Sequence, residues 1–290
     1  MKLSCIAQRE AKLLPILRQE LAMSSTLVKR LKYNHAFLVN GQAVRTNYIV
    51  KIGDLVEVIL DEPEPEYPPQ EGELSILYED EFLIAIDKPP GILMHPSPAR
   101  NEGTLANYLI HYYQSTGQPC AVHPVSRLDR DTFGVVLLAK NGHAHAKMHE
   151  QLLKEGLTKK YHAVVVGTPS EGSGIIDAPI ARQSPESLLR CVREDGKPAR
   201  SQYRILDQKD GCSLLELQPL TGRTHQLRVH CAHMGFPIAG DPQYGSDPYG
   251  LPHQQLCAVY LGFKHPITGN FTEILSKQKV SLDFLGSYGV

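Results

Sequence analysis

The chain has 290 residues, of which 42% are hydrophobic, so it can bury a substantial core and is not a disordered polymer. Its 30 basic side chains nearly balance 31 acidic ones, which excludes a surface coated in positive charge. The sequence has no run of roughly 18 apolar residues and no secretory-signal core, so we expect no membrane partner. The six cysteines form no CxxC pair, which favours a reducing cytoplasm over a disulfide framework or a zinc ribbon.

The N-terminal part of the chain predicts a small module, over about residues 12–60, of two short helices followed by strands. Pro15 is tolerable only in the first turn of the first helix, and Ser24 or Ser25 can cap the second. Asn40-Gly41 lies between two apolar runs, which indicates a two-residue hairpin turn. The first helix is indicated by leucines at helical spacing, namely Leu13, Leu14, Leu17 and Leu21.

Basic side chains are concentrated in this module. Six bases and one acid lie between residues 12 and 45. Lys29, Arg30 and Lys32 are expected on the outer face of the second helix, and Arg45 follows the hairpin. Such a row of cations can neutralise phosphates and release counterions, which suits RNA. The alternative is a solvated basic face on an accessory domain, and the turn spacing favours RNA binding.

Residues 61–73 predict a linker. This segment has four prolines and six acids. Proline fixes φ and removes a backbone donor, and like charges repel, so the segment favours extended chain over helix. We therefore expect a boundary between the N-terminal module and a large domain at residues 74–290.

The large domain predicts an α+β fold whose sheet is mostly antiparallel or mixed and is flanked by helices. Strand-like runs outnumber helical ones and do not alternate strictly with them. Thr104 can cap one helix, Asn141 can cap a second that stops at Gly156, and a third ends at Gly235. The strand-like runs, rich in β-branched or aromatic residues, are 82–89, 134–141, 161–167, 201–208, 212–219 and 259–263.

The densest charged cluster is RLDRDTFG, which begins at Arg127, contains Asp129 and precedes an apolar strand. One interpretation is a solvated turn with local ion pairs. The other is a carboxylate held among guanidinium groups, which favour its ionised form. An ionised carboxylate can act as a covalent nucleophile or as a base.

A second cluster, TGRTHQLRVHCAHMG, carries Arg223 and Arg228 on a turn that leads into a helix. Arginine can pair in bidentate fashion with a carboxylate or a phosphate. A metal site is the alternative, but the spacing is not HExxH and no acid lies within the cluster, so we expect no metal. The possible ligands are His225, His230, Cys231 and His233.

The order of several motifs closely resembles that of the RluA-type RNA pseudouridine synthases. The motifs are DKPPGILMHP, HPVSRLDRDTFGVVLLAKN, KKYHAVVVG, LTGRTHQLRVH, AGDPQYG and FKHP, and together they span about residues 74–270. The N-terminal module, with its basic helix, FLVNGQAV and KIGDLVEV, resembles the S4 RNA-binding module. The resemblance implies isomerisation of uridine to pseudouridine in structured RNA, without metal or nucleotide cofactor, by a cytoplasmic enzyme that we expect to be a monomer.

The resemblance also implies roles for individual residues. Asp129 takes the place of the nucleophile, and Arg228 is expected to pair with it. Tyr161, which composition alone would assign to packing, is expected to stack on the target base and to assist proton handling. Arg127 takes the place of an arginine near the flipped nucleotide, and Arg223 is expected to contact RNA.

The sequence departs from the family pattern at Ser126, where the family usually has His, and at Phe133, where it usually has Ser. We expect both departures to affect RNA specificity more than activity. The sequence leaves open whether the RNA is ribosomal, which we favour, or transfer RNA, and whether Asp129 adds to the base or to the sugar. The competing hypotheses are an RNA-binding protein without catalysis and a metal-dependent hydrolase that uses the histidines.

Overall fold

The computed structural model describes residues 2–60, 67–97, 100–118, 121–154, 156–245, 249–283 and 285. No helix in these ranges is long and apolar enough to cross a membrane. The described residues form a mixed structure with a small N-terminal module and a large sheet that is mostly antiparallel. The predicted α+β fold class is therefore confirmed.

The N-terminal module contains two small sheets and two helices. Strand order β1-β6-β3-β4 defines the larger sheet, and β2 pairs with β5. Strand β1 pairs along its whole length with β6 and lies ahead of residue 12, where the sequence suggested that the module begins. Its elements are β1 (Lys2–Ile6), β2 (Ala11–Lys12), α1 (Leu13–Gln19), α2 (Ser25–Leu31), β3 (Phe37–Val39), β4 (Gln42–Ala43), β5 (Ile49–Val50) and β6 (Leu55–Ile59).

Local signals account for the form of this module. The Ser24 hydroxyl accepts the Leu27 N–H at 3.1 Å, which confirms the predicted cap of α2. Asn40 and Gly41 both have positive φ, of 50° and 78°, as a tight hairpin turn between β3 and β4 requires. Pro15 lies in the first turn of α1, where its missing N–H costs no helical hydrogen bond.

The first half of the predicted linker, residues 61–66, lies outside the described residues. The second half is fastened to the large domain: Asn107 donates to the Pro68 carbonyl at 2.9 Å, and the Gln70 N–H donates to the Asn107 carbonyl at 3.1 Å. In addition, one hydrophobic cluster includes residues of both parts, such as Leu3 and Val56 from the module and Val135 and Phe263 from the large domain. The module therefore packs against the large domain.

The large domain is built on a ten-stranded sheet in the part of the chain that the structure describes. Its order is β12-β15-β16-β11-β17-β10-β8-β7, with β18 beside β17 and β9 beside β10. The elements are β7 (Ile76–Glu79), β8 (Leu83–Lys88), α3 (Leu105–Ser115), β9 (His123–Pro124), β10 (Phe133–Ala139), α4 (Gly142–Lys154), β11 (Thr158–Val166), β12 (Ser173–Asp177), β13 (Ile180–Arg182), β14 (Arg190–Val192), β15 (Arg200–Lys209), β16 (Cys212–Pro219), α5 (Gln226–His233), β17 (Leu256–Lys264) and β18 (Phe271–Leu275). Strands β13 and β14 form a separate hairpin.

The predicted helix boundaries in this domain are confirmed. Thr104 and Asn107 form a reciprocal capping box at the start of α3. The Asn141 side chain accepts the Ala144 N–H at 2.8 Å at the start of α4. Gly156, with φ 76°, follows the end of α4, and its N–H donates to the Gln151 carbonyl as in a helix-terminating turn.

Strand β10 lies at the centre of the sheet, and all seven of its residues are buried. Alternate side chains enter different hydrophobic clusters, because successive residues of a strand point to opposite faces. Strand β10 pairs in parallel with β17 through Phe133 and Gly134, whereas the other described pairs of named strands are antiparallel. A Cβ at Gly134 would lie 2.3 Å from the Ala258 carbonyl oxygen, so the close approach of β17 requires glycine.

Candidate active site

The loop 125–132 brings Asp129 to the end of β10 where β17 pairs in parallel. Leu128 is buried in the core beside it, while the Asp129 side chain keeps 29% of its surface exposed. Arg130 and Asp131 pair with each other at 2.7 Å. The local ion pair expected of a solvated turn therefore involves Arg130 and Asp131, and it leaves Asp129 to contacts from other parts of the chain.

Lys88, at the end of β8, anchors the loop 125–132 through a hydrogen bond. Its ammonium group is fully buried and donates to three carbonyls, of Pro89 at 2.9 Å, Ile92 at 2.9 Å and Arg130 at 2.8 Å. Burial lowers the pKa of Lys88 to about 8, against the opposing effect of the Asp131 and Asp129 charges. The three acceptors match the three N–H groups of an ammonium ion, so Lys88 fastens the DKPPG segment to the Asp129 loop.

Arg228, on α5, is the centre of the site. Its Nη1 donates to Asp129 Oδ2 at 3.1 Å, and its Nε and Nη2 donate to the two carboxylate oxygens of Asp241 at 2.7 and 2.8 Å. Nη2 also donates to Gln243 at 2.8 Å. The side chains of Arg228 and Asp241 are 6% and 0% exposed. Such a buried bidentate pair fixes the direction of the guanidinium group, so one N–H is aimed at Asp129.

Asp241 also organises the loop that follows α5. Its Oδ1 accepts the backbone N–H groups of Gln243 and Tyr244 at 2.9 and 3.2 Å. The Tyr244 ring consequently lies under the Arg228 guanidinium, 4.9 Å from its Cζ. Asp241 thus holds both Arg228 and the aromatic ring that covers it.

His225 precedes α5 in a left-handed conformation, with φ 57° and ψ 19°. Its Nδ1 lies 2.7 Å from the Tyr244 hydroxyl, and its Nε2 lies 3.8 Å from Asp129 Oδ1. Burial is the main cause that lowers the pKa of His225, while the Asp129 charge raises it. The ring is therefore neutral at neutral pH.

Tyr161 is placed beside the Asp129 loop by the register of the sheet. It pairs with Ala258 of β17, which in turn pairs with Gly134 of β10, so Tyr161 lies two strands from the start of β10. A bulge between Lys160 and Tyr161 re-aims the side chain. Burial, and next the Asp129 charge, raise the pKa of the half-buried phenol, so it stays protonated.

Comparison with known proteins shows the family of the chain. A family model described as RNA pseudouridylate synthase matches residues 82–233, more than half of the chain. The uncharacterized RNA pseudouridine synthase YlyB of Bacillus subtilis is 40% identical over 255 residues, which are 86% of this chain and 84% of that protein. The ribosomal large subunit pseudouridine synthase D of Pseudomonas aeruginosa is 37% identical over 246 residues, 80% of this chain and 77% of that protein. The chain belongs to the RNA pseudouridine synthase family.

A solved structure agrees with this assignment. The human RNA pseudouridylate synthase domain containing 1 superposes with a TM-score of 0.59 at 26% identity, over 76% of this chain and 96% of that one. The predicted enzyme class is therefore confirmed, and the large domain is that of a synthase which converts uridine in RNA to pseudouridine. The family match includes Asp129, Tyr161 and Arg228.

The other predicted site residues of this pseudouridine synthase lie around the cluster or on the N-terminal module. Arg127 is exposed. Burial is the main cause that lowers the pKa of His95, and the Arg127 charge is the second cause. Arg223 is exposed and donates to the Pro198 carbonyl at 2.9 Å. The four remaining cations, Lys29, Arg30, Lys32 and Arg45, are exposed on the N-terminal module.

His230 of the second cluster has a structural role. His230 is fully buried, with Nδ1 2.9 Å from the Ser201 hydroxyl and Nε2 3.0 Å from the Ala178 carbonyl. Burial raises the pKa of Cys231 to about 12. Within the described ranges, no group of three or more His, Cys, Asp or Glu residues is arranged to hold a metal ion.

The two departures from the family pattern turn out to be buried. The Ser126 side chain accepts the Leu137 N–H at 3.0 Å and is 7% exposed. Phe133 packs in the core with its ring edge-on to His253, at a centroid distance of 5.3 Å. Both side chains are buried, and their effect on RNA specificity stays a prediction.

The sequence did not single out Asp241, Gln243 and Tyr244 as site residues, and it named His225 only as a possible metal ligand. The signal that was present is the motif AGDPQYG, whose Asp241 has no cation nearby in the sequence. An acid in a turn without a local partner, 13 positions after an arginine on a helix, can be paired with that arginine.

Proposed function

We propose that Asp129 is the nucleophile of this pseudouridine synthase and that ribosomal RNA is its substrate. The observation that supports the first part is the Arg228 hydrogen bond to Asp129, aimed by the buried Asp241 pair. A cation in a fixed position holds one oxygen of the carboxylate and leaves the other available for attack. The second part rests on relatives named as ribosomal large subunit pseudouridine synthase D.

The reaction changes connectivity without changing oxidation state. The bond between N1 and the ribose breaks, Asp129 adds covalently to the nucleotide, the base turns, C5 bonds to the ribose, and the bond to Asp129 breaks again to release the free carboxylate. The proton lost from C5 is balanced by the one that N1 gains, so no electron carrier is needed. We accordingly propose that one chain acts without metal or nucleotide cofactor.

Tyr161 is proposed to stack on the target base after it leaves the RNA. Extruding a base costs a few kcal/mol, and stacking on an aromatic ring returns about 1–3 kcal/mol. The raised pKa of the Tyr161 phenol keeps its proton in place as a hydrogen-bond donor near Asp129. Arg127 and Arg223 are exposed on the same domain and are proposed to bind the phosphates on either side of the target.

The N-terminal module, residues 2–60, is proposed to be an S4-like RNA-binding module ahead of a catalytic domain that begins near residue 74. The exposed Lys29, Arg30 and Lys32 on one helix and Arg45 beyond the hairpin support this role. Because the substrate is ribosomal RNA in this proposal, the enzyme acts in the cytoplasm.

The test is pseudouridine mapping of total RNA from cells that lack the protein, after rescue with wild type, Asp129→Ala or Asp131→Asn. We expect wild type and Asp131→Asn to restore one or a few ribosomal sites, because Asp131 pairs with its neighbour Arg130. Asp129→Ala is expected to restore none. Rescue by Asp129→Ala would overturn the nucleophile, and restored sites confined to transfer RNA would overturn the substrate class.

A further inference from the structure

The two oxygens of the Asp129 carboxylate have different surroundings. Oδ2 accepts a hydrogen bond from Arg228 at 3.1 Å. Oδ1 accepts none from any residue that the structure describes, and it faces His225 Nε2 at 3.8 Å. The oxygen that is free to attack the nucleotide is therefore the one next to the imidazole.

The hydrogen bonds around His225 determine where its proton lies. The Tyr244 hydroxyl accepts the backbone N–H of Arg190 at 2.8 Å. Among the described residues, His225 Nδ1, 2.7 Å away, is the acceptor within reach of the hydroxyl proton, so we assign the hydroxyl as the donor of this hydrogen bond. A neutral imidazole that accepts at Nδ1 carries its proton at Nε2, which points toward Asp129 Oδ1.

The backbone and the packing both constrain this arrangement. The left-handed conformation of His225 is unfavourable for a residue other than glycine, and such strain persists only where its surroundings impose it. Tyr244 is held by its N–H bond to Asp241 and by the Arg228 guanidinium above its ring. It also packs against the small cluster that includes Ile180 and Val192 of the β13–β14 hairpin.

We propose that Tyr244 and His225 are positioning residues that link the β13–β14 hairpin to the nucleophile. The chain of contacts runs from the Arg190 N–H through the Tyr244 hydroxyl and the His225 ring to Asp129 Oδ1. This inference rests on Asp129 as the nucleophile. At 3.8 Å the neutral imidazole faces this oxygen without a hydrogen bond that would suppress its attack.

The hairpin gives this linkage a function. Its strands are joined by residues 183–189, and Leu188 near the tip is 76% exposed. The hairpin contacts the active site through the Arg190 backbone N–H. The position of the hairpin therefore determines whether the Tyr244 hydroxyl can keep the His225 proton on Nε2. Displacement of the hairpin would release His225 from that tautomer and leave Oδ1 unoriented.

Loss of the Tyr244 hydroxyl should make catalysis sensitive to acid. The charged groups that face His225 are Asp129 and Asp241, which raise its pKa, and Arg228 and Arg190, which lower it. Without the hydroxyl, Nδ1 loses the donor that opposes its protonation, so the pKa of His225 should rise, while burial and the Arg228 and Arg190 charges continue to lower it. A cationic imidazole would then pair tightly with Asp129 and hold back its attack.

The experiment measures the single-turnover rate of pseudouridine formation between pH 5.5 and 8.5, with the full chain and total RNA from cells that lack it. Because a higher His225 pKa protonates more of the imidazole as the pH falls, Tyr244→Phe should lose more of its rate between pH 8 and pH 6 than wild type does. We expect the wild-type rate to vary less over this interval, with the RNA concentration at half-saturation unchanged. The control is Tyr112→Phe, which also removes one phenol hydrogen bond. That bond is to Glu79 on β7, at one end of the strand order.

A double-mutant cycle tests whether Tyr244 acts through His225. His225→Asn keeps a residue that tolerates the left-handed conformation but removes the imidazole, and should abolish the acid limb. The double variant should then be no slower than His225→Asn alone, because both changes interrupt the same linkage. Additive losses, or a wild-type pH profile in Tyr244→Phe, would overturn the proposal. If Asp129→Ala is inactive in the same assay while Tyr244→Phe keeps the wild-type profile, the linkage fails and the nucleophile stands.

Discussion

The active site and the N-terminal module hold their cations in opposite ways. Arg228 is almost completely buried, and its N–H groups are directed to Asp129, Asp241 and Gln243. Lys29 and Lys32, in contrast, are exposed on or just after a short helix. A guanidinium with fixed partners has one orientation, whereas an exposed ammonium can follow a flexible phosphate chain.

This difference assigns separate physical tasks to the two regions. Burying an ion pair costs several kcal/mol of desolvation free energy, which only good geometry offsets. A buried pair is therefore expected where a side chain must keep one fixed orientation. Exposed cations gain affinity from released counterions, which depends on charge and salt more than on geometry. Changes in the first region should therefore alter the rate of chemistry, and changes in the second should alter RNA affinity.

The largest effect is expected from Asp241→Ala. The substitution leaves Arg228 buried without its bidentate partner, which costs about 3–5 kcal/mol of unfolding free energy. It also frees the guanidinium to pair entirely with Asp129, so we expect the turnover rate to fall at least 100-fold. Denaturant unfolding and single-turnover kinetics measure the two effects.

Asp195→Ala is the matched control, because that acid pairs with Arg193 on the exposed surface. We expect both its stability and its rate to remain near wild type. A stable and active Asp241→Ala enzyme would show that the direction of Arg228 is not set by the buried pair.

A smaller effect is expected from Lys88→Met, which keeps the buried stem but removes three hydrogen bonds to carbonyls. Each unsatisfied buried carbonyl costs about 1–3 kcal/mol, partly relieved by movement of the loop. The Asp129 loop loses its anchor at Arg130, so we expect turnover to slow roughly tenfold. Lys209→Met, at an exposed position, is the control.

The pH dependence of stability gives this variant a second readout. The folded pKa of Lys88, about 8, lies below the unfolded value near 10.5, so between these pH values the unfolded chain binds more protons. The stability of wild type relative to Lys88→Met should therefore increase by about 1 kcal/mol per pH unit above pH 8. A difference that stays constant from pH 8 to 10 would contradict the lowered pKa.

The sequence could predict the elements that depend on contacts between residues close in the chain, and it could not predict those that depend on distant residues. The caps at Ser24, Thr104 and Asn141 are local, so the helices that they begin were predicted correctly. Strands β1, β12 and β18 were not, because each is five residues long and depends on a partner strand elsewhere in the chain.

The active site shows the same division. RLDRDTFG is a local signal, and it indicated Asp129. The contacts that orient this carboxylate join positions 129 and 228, and 190 and 244, which no local pattern connects. The sequence also could not show that Ser126 and Phe133 point into the core, because burial on a turn depends on which strands pack above it.

The smallest effect on chemistry is expected from replacing Lys29, Arg30 and Lys32 together with glutamine. Each lost phosphate contact lowers the slope of log affinity against log salt by about 0.7–0.9, so the slope should fall by about 2–3. The rate at saturating RNA should not change, because these residues lie on a separate module. The measurement is RNA binding by the full chain at several salt concentrations, followed by single-turnover kinetics.

The triple variant Lys209, Lys277 and Lys279 to glutamine is the control, since it removes the same charge from exposed positions on the catalytic domain. If the slope of log affinity against log salt falls equally in the two triple variants, the N-terminal face acts only through net charge and is not a specific RNA-binding surface. If only the N-terminal variant loses slope while its saturated rate is preserved, affinity and chemistry are separable. The contrast between fixed and exposed cations would then extend from structure to function.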